Sequence, residues 1–225
     1  MGLSLDTFTE GAEVSQAFWR AAQEARARAL QSARAGRTSI DATDRAKALA
    51  LAAADTQLHR ALVEAAAVRL MTAWEVFLGD LFAEFLLRRS AAFKRVWRLK
   101  RPVAIADETV ELIVAQQRYP FQDFGKASDL LKRYLGDDLF GTGAHKIDVS
   151  PVQELVLVRN AVVHRAGRPT KQFRDKLGTR RTAHGYLTSR RPKGVLPPTQ
   201  FERLLVGVIT AAHALNTRAF QRPRP

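Results

Sequence analysis

Apolar side chains recur at helical spacing along most of this chain, and the pattern predicts an all-α fold. Near the N-terminus the apolar positions are three to four residues apart, and Gly36 supplies a stop signal. A second helical region runs from about residue 41 to about residue 97. Its large apolar residues form a stripe that we expect in the core: Leu70, Trp74, Phe77, Leu78, Leu81, Phe82, Phe85 and Leu86. We therefore predict an N-terminal helix over residues 1–40 and a helical-bundle domain over residues 41–225.

Capping signals place the later helices. In Ser150-Pro151-Val152-Gln153 the serine caps a helix, the proline occupies its first position and the glutamine completes a capping box. Gly167 stands where a left-handed C-terminal cap belongs, so this helix has about sixteen residues. Thr199-Gln200-Phe201-Glu202 is a second capping box and opens the last helix. Two shorter helices are predicted before these, near residues 107–117 and 126–135.

The segment between the last two helices differs from the rest of the chain. Residues 168–198 lack a helical period and contain glycine, proline and many cations, which predicts a basic irregular or hairpin insertion. The net charge of the chain is +14, and residues 165–225 hold 14 of its 36 Lys and Arg but 2 of its 22 Asp and Glu. This asymmetry indicates a polyanionic partner, either nucleic acid or a membrane surface. The alternative is a solvated arm that keeps the protein soluble.

The composition excludes several classes of site. The chain has 225 residues and no cysteine, so it has no disulfides, thiol chemistry or cysteine-based metal sites. No apolar run approaches the ~18 residues that span a membrane, and the start, MGLSLDTFTEGAE, is unlike a secretory signal. We expect a cytoplasmic protein without a membrane partner. The sequence contains no phosphate-loop or metal-binding motif, so we expect neither a cofactor nor a metal. The aspartates Asp137, Asp138 and Asp148 suggest either a cation site or helix caps.

The helix that begins near residue 150 contains a cation in an unusual place. At about 100° per residue, its apolar side chains occupy an arc in which Arg159 also falls. Asn160 and His164, four residues apart, stack along the border of that arc. Burying an unpaired guanidinium is costly, so Arg159 either pairs with a buried carboxylate or lines an interface or cleft. Candidate carboxylates interrupt the apolar stripe of the preceding helix: Glu75 and Asp80.

The same helix carries a family signature. VRNAVVHRAG, residues 158–167, resembles the Arg-Asn-x-x-x-His signature of HEPN domains, a group of all-α domains. LMTAWEVFLGDLFAEF, residues 70–85, resembles the glutamate-bearing helix of the RiboL-PSP-HEPN-like branch. Two later stretches are similar to that branch as well, LGDDLFG and VHRAGRPTKQF. The resemblance covers roughly residues 60–220 and leaves residues 1–40 unplaced.

This resemblance implies a function and a set of residues. Many HEPN members are metal-independent ribonucleases of toxin–antitoxin, phage-defence and CRISPR-associated systems, whose signature helices meet across a dimer. It implies Arg159, Asn160 and His164 as the catalytic residues of a homodimer, with RNA as substrate, no cofactor, and an antitoxin or defence-system protein as a further partner. The expected RNA contacts come from the basic segment: Arg165, Arg168, Lys171, Arg180, Arg181, Tyr186, Arg190, Arg191 and Lys193.

Each of these interpretations has an alternative. A HEPN module without catalytic activity would bind RNA or a partner protein through the same surface. A DNA-binding helical domain would place its last helix in a groove, although that helix has few cations beyond Arg203 and Arg218. Tyr186 is equally suited to a core, and His184 has no second catalytic group beside it in the sequence.

Overall fold

The computed structural model describes residues 3–88, 124–135, 139–141, 146–178, 181–189 and 198–221. The chain in these ranges is helical and contains no strand, which confirms the all-α prediction. No helix in the same ranges is both long enough and apolar enough to cross a membrane. The predicted helix near residues 107–117 lies outside the described residues. The helices are α1 (Leu3–Thr38), α2 (Ala42–Arg88), α3 (Phe124–Leu135), α4 (Ser150–Arg165), α5 (Lys171–Leu177), α6 (Ala183–Thr188) and α7 (Gln200–Gln221).

The turn between α1 and α2 is built around Asp41. Its Oδ1 accepts two backbone N–H groups from the first turn of α2, at 2.7 and 2.9 Å, which caps that helix. The two helices then run antiparallel. The Ser15 hydroxyl donates to the carbonyl of Ala66 at 2.8 Å, and Nδ1 of His59 donates to the carbonyl of Ala22 at 2.8 Å. Both donors are buried, so these bonds satisfy polar groups that would otherwise be costly in a core.

The chain divides into two compact units. The first unit comprises residues 1–10, 71–156 and 204–225, and the second comprises residues 11–70 and 157–203. Four helices, α1, α2, α4 and α7, contribute residues to both units. The helix predicted over residues 1–40 is present as α1, but it is shared between the units and is not a domain of its own.

The first unit has an aromatic core that the stripe in α2 supplies. Phe77 packs against Phe8 and Trp74, with ring centroids 5.4 and 5.7 Å apart. Gly207 of α7 lies so close to Pro151 of α4 that an added Cβ would come within 2.6 Å of the proline Cβ, so only glycine fits there. The stripe residues with described side chains are all buried, as predicted: Leu70, Trp74, Phe77, Leu78, Leu81 and Phe82.

In the second unit, the start of α7 contacts α1. The capping box predicted there is confirmed, because the Glu202 carboxylate accepts the backbone N–H of Thr199 at 2.6 Å and the Thr199 hydroxyl accepts the N–H of Glu202 at 3.3 Å. The other carboxylate oxygen of Glu202 accepts the indole N–H of Trp19 at 3.2 Å. The Trp19 ring stacks on Phe201 with centroids 4.7 Å apart. One glutamate therefore both caps α7 and anchors α1.

The basic segment contains two short helices instead of the expected hairpin. Thr170 caps α5 by accepting the N–H of Phe173 at 3.1 Å, and Thr182 caps α6 by accepting the N–H of Gly185 at 2.9 Å. Phe173 and Tyr186 are buried with their rings edge to face at 5.8 Å. These caps and rings explain the helices, so the described part of the segment differs from the irregular or hairpin insertion expected over residues 168–198. Residues 190–197 lie outside the described part.

Candidate functional site

The helix α4, which carries the signature, begins one residue away from the predicted cap. The carbonyl of Val149 accepts the N–H of Gln153 at 3.0 Å, and Oδ1 of Asp148 accepts the N–H of Ser150 at 2.9 Å. The Asp148 carboxylate thus accepts a backbone N–H that has no partner within the helix. The sequence had suggested the side chain of Ser150 for this capping role. The length of sixteen residues agrees with the prediction.

The end of α4 is a left-handed turn held by α2. Ala166 has φ +49° and Gly167 has φ +79°, and the N–H of Gly167 donates back to the carbonyl of Ala161 at 2.9 Å. Nη2 of Arg60 donates to the carbonyl of Ala166 at 3.3 Å, while its Nε pairs with Oε1 of Glu64 at 3.2 Å. A Cβ on Gly167 would lie 2.8 Å from that same Oε1. The positive φ therefore favours glycine here, and a larger residue would also displace the end of the Glu64 side chain.

The signature residues Arg159, Asn160 and His164 form one hydrogen-bonded group. Nη1 of Arg159 donates to Oδ1 of Asn160 at 3.2 Å and lies 3.3 Å from Nε2 of His164. A guanidinium only donates, so the contact with His164 requires a neutral imidazole whose Nε2 carries the lone pair. Asn160 thus holds the arginine, and the arginine holds the imidazole in the tautomer that accepts a proton at Nε2.

This group is open to solvent in a single chain. His164 is exposed, and Arg159 and Asn160 are half-buried. The apolar arc of α4 is covered only in part. Val158 and Ala161 are buried, whereas Val163 is 49% exposed. Within the second unit, in the part of the chain that the structure describes, Arg159 makes no ion pair with a carboxylate.

The carboxylates suggested as partners of Arg159 lie in the other unit. Glu75 and Asp80 belong to the first unit and Arg159 to the second, so their pairing stays a prediction. Burial raises the pKa of Asp80 above its ordinary value, and the negative charge of Glu84 raises it further. Neither contribution comes from a cation.

The basic residues have three different outcomes. Lys171 is exposed, as its predicted role requires. Tyr186 is only 4% exposed, so its ring belongs to the core and is not available to stack on a base. The described arginines converge: Arg165, Arg168 and Arg181 line one cavity of about 910 Å³ together with Arg174, which the sequence analysis had not selected. The remaining predicted RNA contacts lie outside the described residues: Arg180, Arg190, Arg191 and Lys193.

A second histidine site exists in the interior. His184 of α6 meets His59 of α2 edge to face, with ring centroids 5.1 Å apart. Burial, and after it the charges of His59, Arg60 and Arg26, together lower the pKa of His184 to about 4. Burial also lowers the pKa of His59, partly offset by its hydrogen bond to Ala22. Both rings are therefore neutral near pH 7.

The described residues form no metal site, and no related protein indicates a function. Across the described ranges, no three histidine or carboxylate side chains come together as a metal site. Asp148 is a helix cap, and the pair Asp137-Asp138 lies outside those ranges. No family model, curated protein or solved structure matches the chain. The resemblance to HEPN domains accordingly stays a prediction drawn from its residues.

Proposed function

We propose that this protein is a metal-independent endoribonuclease that works as a homodimer. The observation that carries the proposal is the exposed group of Arg159, Asn160 and His164, joined through one guanidinium nitrogen. The group combines a proton acceptor with a fixed cation, which are the two functions that cleavage of an RNA phosphodiester requires. The cellular setting that the resemblance implies, a toxin–antitoxin or phage-defence system with its own protein partner, belongs to the same proposal.

The chemistry starts at the 2′-hydroxyl of the substrate. When the substrate binds, the Arg159 guanidinium turns to the phosphate and its contact with Nε2 of His164 breaks. Nε2 then takes the 2′-hydroxyl proton, O2′ attacks the adjacent phosphorus, and the bond from phosphorus to the 5′ oxygen breaks. The leaving oxygen takes up a proton, so the products are a 2′,3′-cyclic phosphate and a 5′-hydroxyl. Because RNA supplies its own nucleophile, the reaction needs no metal-bound water. Arg159 neutralises the charge that develops on the phosphate, and Asn160 keeps the guanidinium in place.

A dimer supplies the second proton-transfer group. One imidazole cannot take a proton and give one in the same step, so the leaving oxygen needs an acid other than the His164 that acts as base. Val163, which directly precedes His164 on α4 and is 49% exposed, offers an apolar contact for a second copy. His164 of that copy would then face the same cleft as the acid.

Incubation of purified protein with bulk RNA in EDTA tests the proposal. We expect cleavage with the two product ends named above, and loss of cleavage in His164→Ala and Arg159→Ala with unchanged circular dichroism. Cleavage that survives both substitutions would remove the site. Salt-dependent RNA binding without cleavage at high protein concentration would favour the alternative, a HEPN module without catalytic activity.

A further inference from the structure

We infer that the cavity lined by Arg165, Arg168, Arg174 and Arg181 binds consecutive backbone phosphates of the RNA strand next to the scissile phosphate. We call it the arginine cavity. The inference rests on the proposed function for the identity of the strand, and it adds where that strand lies and which residues hold it. Two threonines complete the polar lining, Thr170 and Thr182.

The arginine cavity is strongly basic. Among the described residues, its lining contains four arginines and no carboxylate. In the described chain none of the four takes part in an ion pair, and Arg174 has only a long 3.4 Å bond from Nη1 to the carbonyl of Pro169. Each guanidinium has five N–H donors arranged in a fork that fits phosphate oxygens. Four like charges around one space repel each other, and a bound polyanion would relieve that repulsion.

The walls of the cavity are anchored in the core of the second unit. The carbonyl of Gly167 accepts the N–H of Ala183 at 2.9 Å, which ties the end of α4 to the start of α6. Ala183, Phe173 and Leu187 are fully buried beneath the lining. The hydroxyls of Thr170 and Thr182 are fixed as helix caps. The arginines therefore project from a rigid base, which reduces the entropy lost when they bind a ligand.

The size and position of the arginine cavity fit a strand better than a single anion. It is open to solvent and has a volume of about 910 Å³, more than one phosphate fills. One of its lining residues, Arg165, directly follows His164 at the end of α4. A strand bound in the cavity would therefore pass the end of α4 that carries His164, and we expect the scissile phosphate to lie there. Phosphate contacts of this kind fix register and supply affinity without reading the base sequence.

The test uses His164→Ala as background, so that RNA is bound without being cut. The double substitution Arg168→Gln/Arg181→Gln, called the cavity pair, is added to this background. The double substitution Arg20→Gln/Arg37→Gln, called the control pair, removes the same net charge from two exposed arginines of α1. We expect the cavity pair to weaken binding of a labelled 12-nucleotide RNA by about tenfold or more at 0.1 M salt, and to reduce the salt slope by about 1.4, since each phosphate contact on a single strand contributes about 0.7. The control pair should change affinity less than twofold, because its charges lie outside the cavity.

Two further measurements separate the possible ligands. Arg168→Lys/Arg181→Lys retains the charge and guards against a folding defect; we expect a salt slope like that of the background and a smaller loss of affinity. A DNA strand of the same sequence has the phosphates but no 2′-hydroxyl, so it should bind the cavity and inhibit cleavage of RNA competitively without being cut. Tripolyphosphate should bind more weakly than either strand.

The outcomes distinguish this inference from the proposed function. Equal losses in the cavity pair and the control pair would overturn the arginine cavity, as would tripolyphosphate binding more tightly than the 12-nucleotide RNA. A wild-type protein that cuts no RNA, but whose cavity pair still loses affinity relative to the control, would refute the nuclease and leave the cavity supported.

Discussion

His164 and His184 belong to the same unit and lie close to arginines, yet their surroundings give them opposite properties. His164 is exposed at the end of α4, and its Nε2 lies 3.3 Å from a guanidinium nitrogen. His184 is half-buried against His59, and burial together with neighbouring charges lowers its pKa to about 4. The first is therefore accessible to a substrate, whereas the second is neutral near pH 7 and packs against its neighbour.

The difference shows that residue type and charge alone do not identify a catalytic histidine. Both rings lie near cations, but only His164 combines access to solvent with a neighbour that fixes its tautomer. Arg60 connects the two environments: its charge contributes to the lowered pKa of His184, and its Nη2 donates to the carbonyl of Ala166 at the end of α4. Substitutions at these positions therefore test the contrast directly.

The largest effect is expected from replacing the two histidines in parallel. His164→Ala should lower kcat/KM for RNA cleavage by about 10²–10⁴, the usual contribution of general acid–base catalysis, and leave the fold intact because the side chain is exposed. His184→Leu should leave kcat/KM unchanged. Single-turnover cleavage and circular dichroism measure both. A folded His184→Leu protein that loses as much activity as His164→Ala would break the contrast.

The next largest effect concerns the turn that supports the exposed site. Gly167→Ala should destabilise the fold by about 1–3 kcal/mol, because alanine is strained at positive φ and its Cβ would meet Glu64. Urea unfolding measures this loss. The variant should also cleave RNA more slowly, because the end of α4 shifts.

Gly178→Ala is the matched control for Gly167→Ala. Gly178 also has positive φ, at +86°, but a Cβ there would have no neighbour within 4 Å. It should destabilise the protein by a similar amount through backbone strain and leave cleavage unchanged. An equal loss of cleavage in both variants would mean that stability, and not the position of α4, limits the activity.

A smaller effect should appear as a dependence of stability on pH. The folded-state pKa of His184 is lowered to about 4 from 6.5, so between these values the unfolded chain binds more protons than the folded one. The free energy of unfolding is therefore unaffected by His184 above pH 6.5 and falls by about 1–2 kcal/mol as the pH drops toward 4. This value is smaller than the full pKa shift would give, because the ring is partly exposed. Urea unfolding from pH 7.5 to 4.5 should show this slope in the wild type and a shallower one in His184→Leu, in which His59 still titrates in the same direction. Parallel curves would contradict the buried assignment of His184.

The elements that the sequence predicted well depend on local patterns. The extent of α4 and the capping box of α7 follow from residues within a few positions of each other, and the stripe in α2 is long enough to show its period. The helices α5 and α6 have seven and six residues, too few to show a period, so only the cap threonines Thr170 and Thr182 signalled them.

The features that the sequence could not predict depend on contacts between distant positions. The pairing of His59 with His184 joins α2 to α6, and no spacing rule relates them. Arg174 became a candidate only because the fold brings it beside Arg165 and Arg168. The catalytic candidates could be selected from the sequence because Arg159, Asn160 and His164 lie within six positions of one helix, where the long side chain of Arg159 reaches both of the others.

The smallest effect is expected from Glu64→Gln, which alters the connection between the two histidines without removing either. The Arg60–Glu64 pair is exposed and four residues apart on α2, so its loss should cost about 0.3–0.5 kcal/mol. Arg60 would then be less neutralised, and its stronger repulsion should lower the pKa of His184 further. The pH-dependent loss of stability would still begin near pH 6.5 but would continue to a lower pH and become larger. Cleavage should stay at the wild-type level, since the bond from Arg60 to the carbonyl of Ala166 remains. Urea unfolding extended to pH 3 measures this larger loss; a loss that levels off at the same pH as in the wild type would show that Arg60 does not act on the His184 ring.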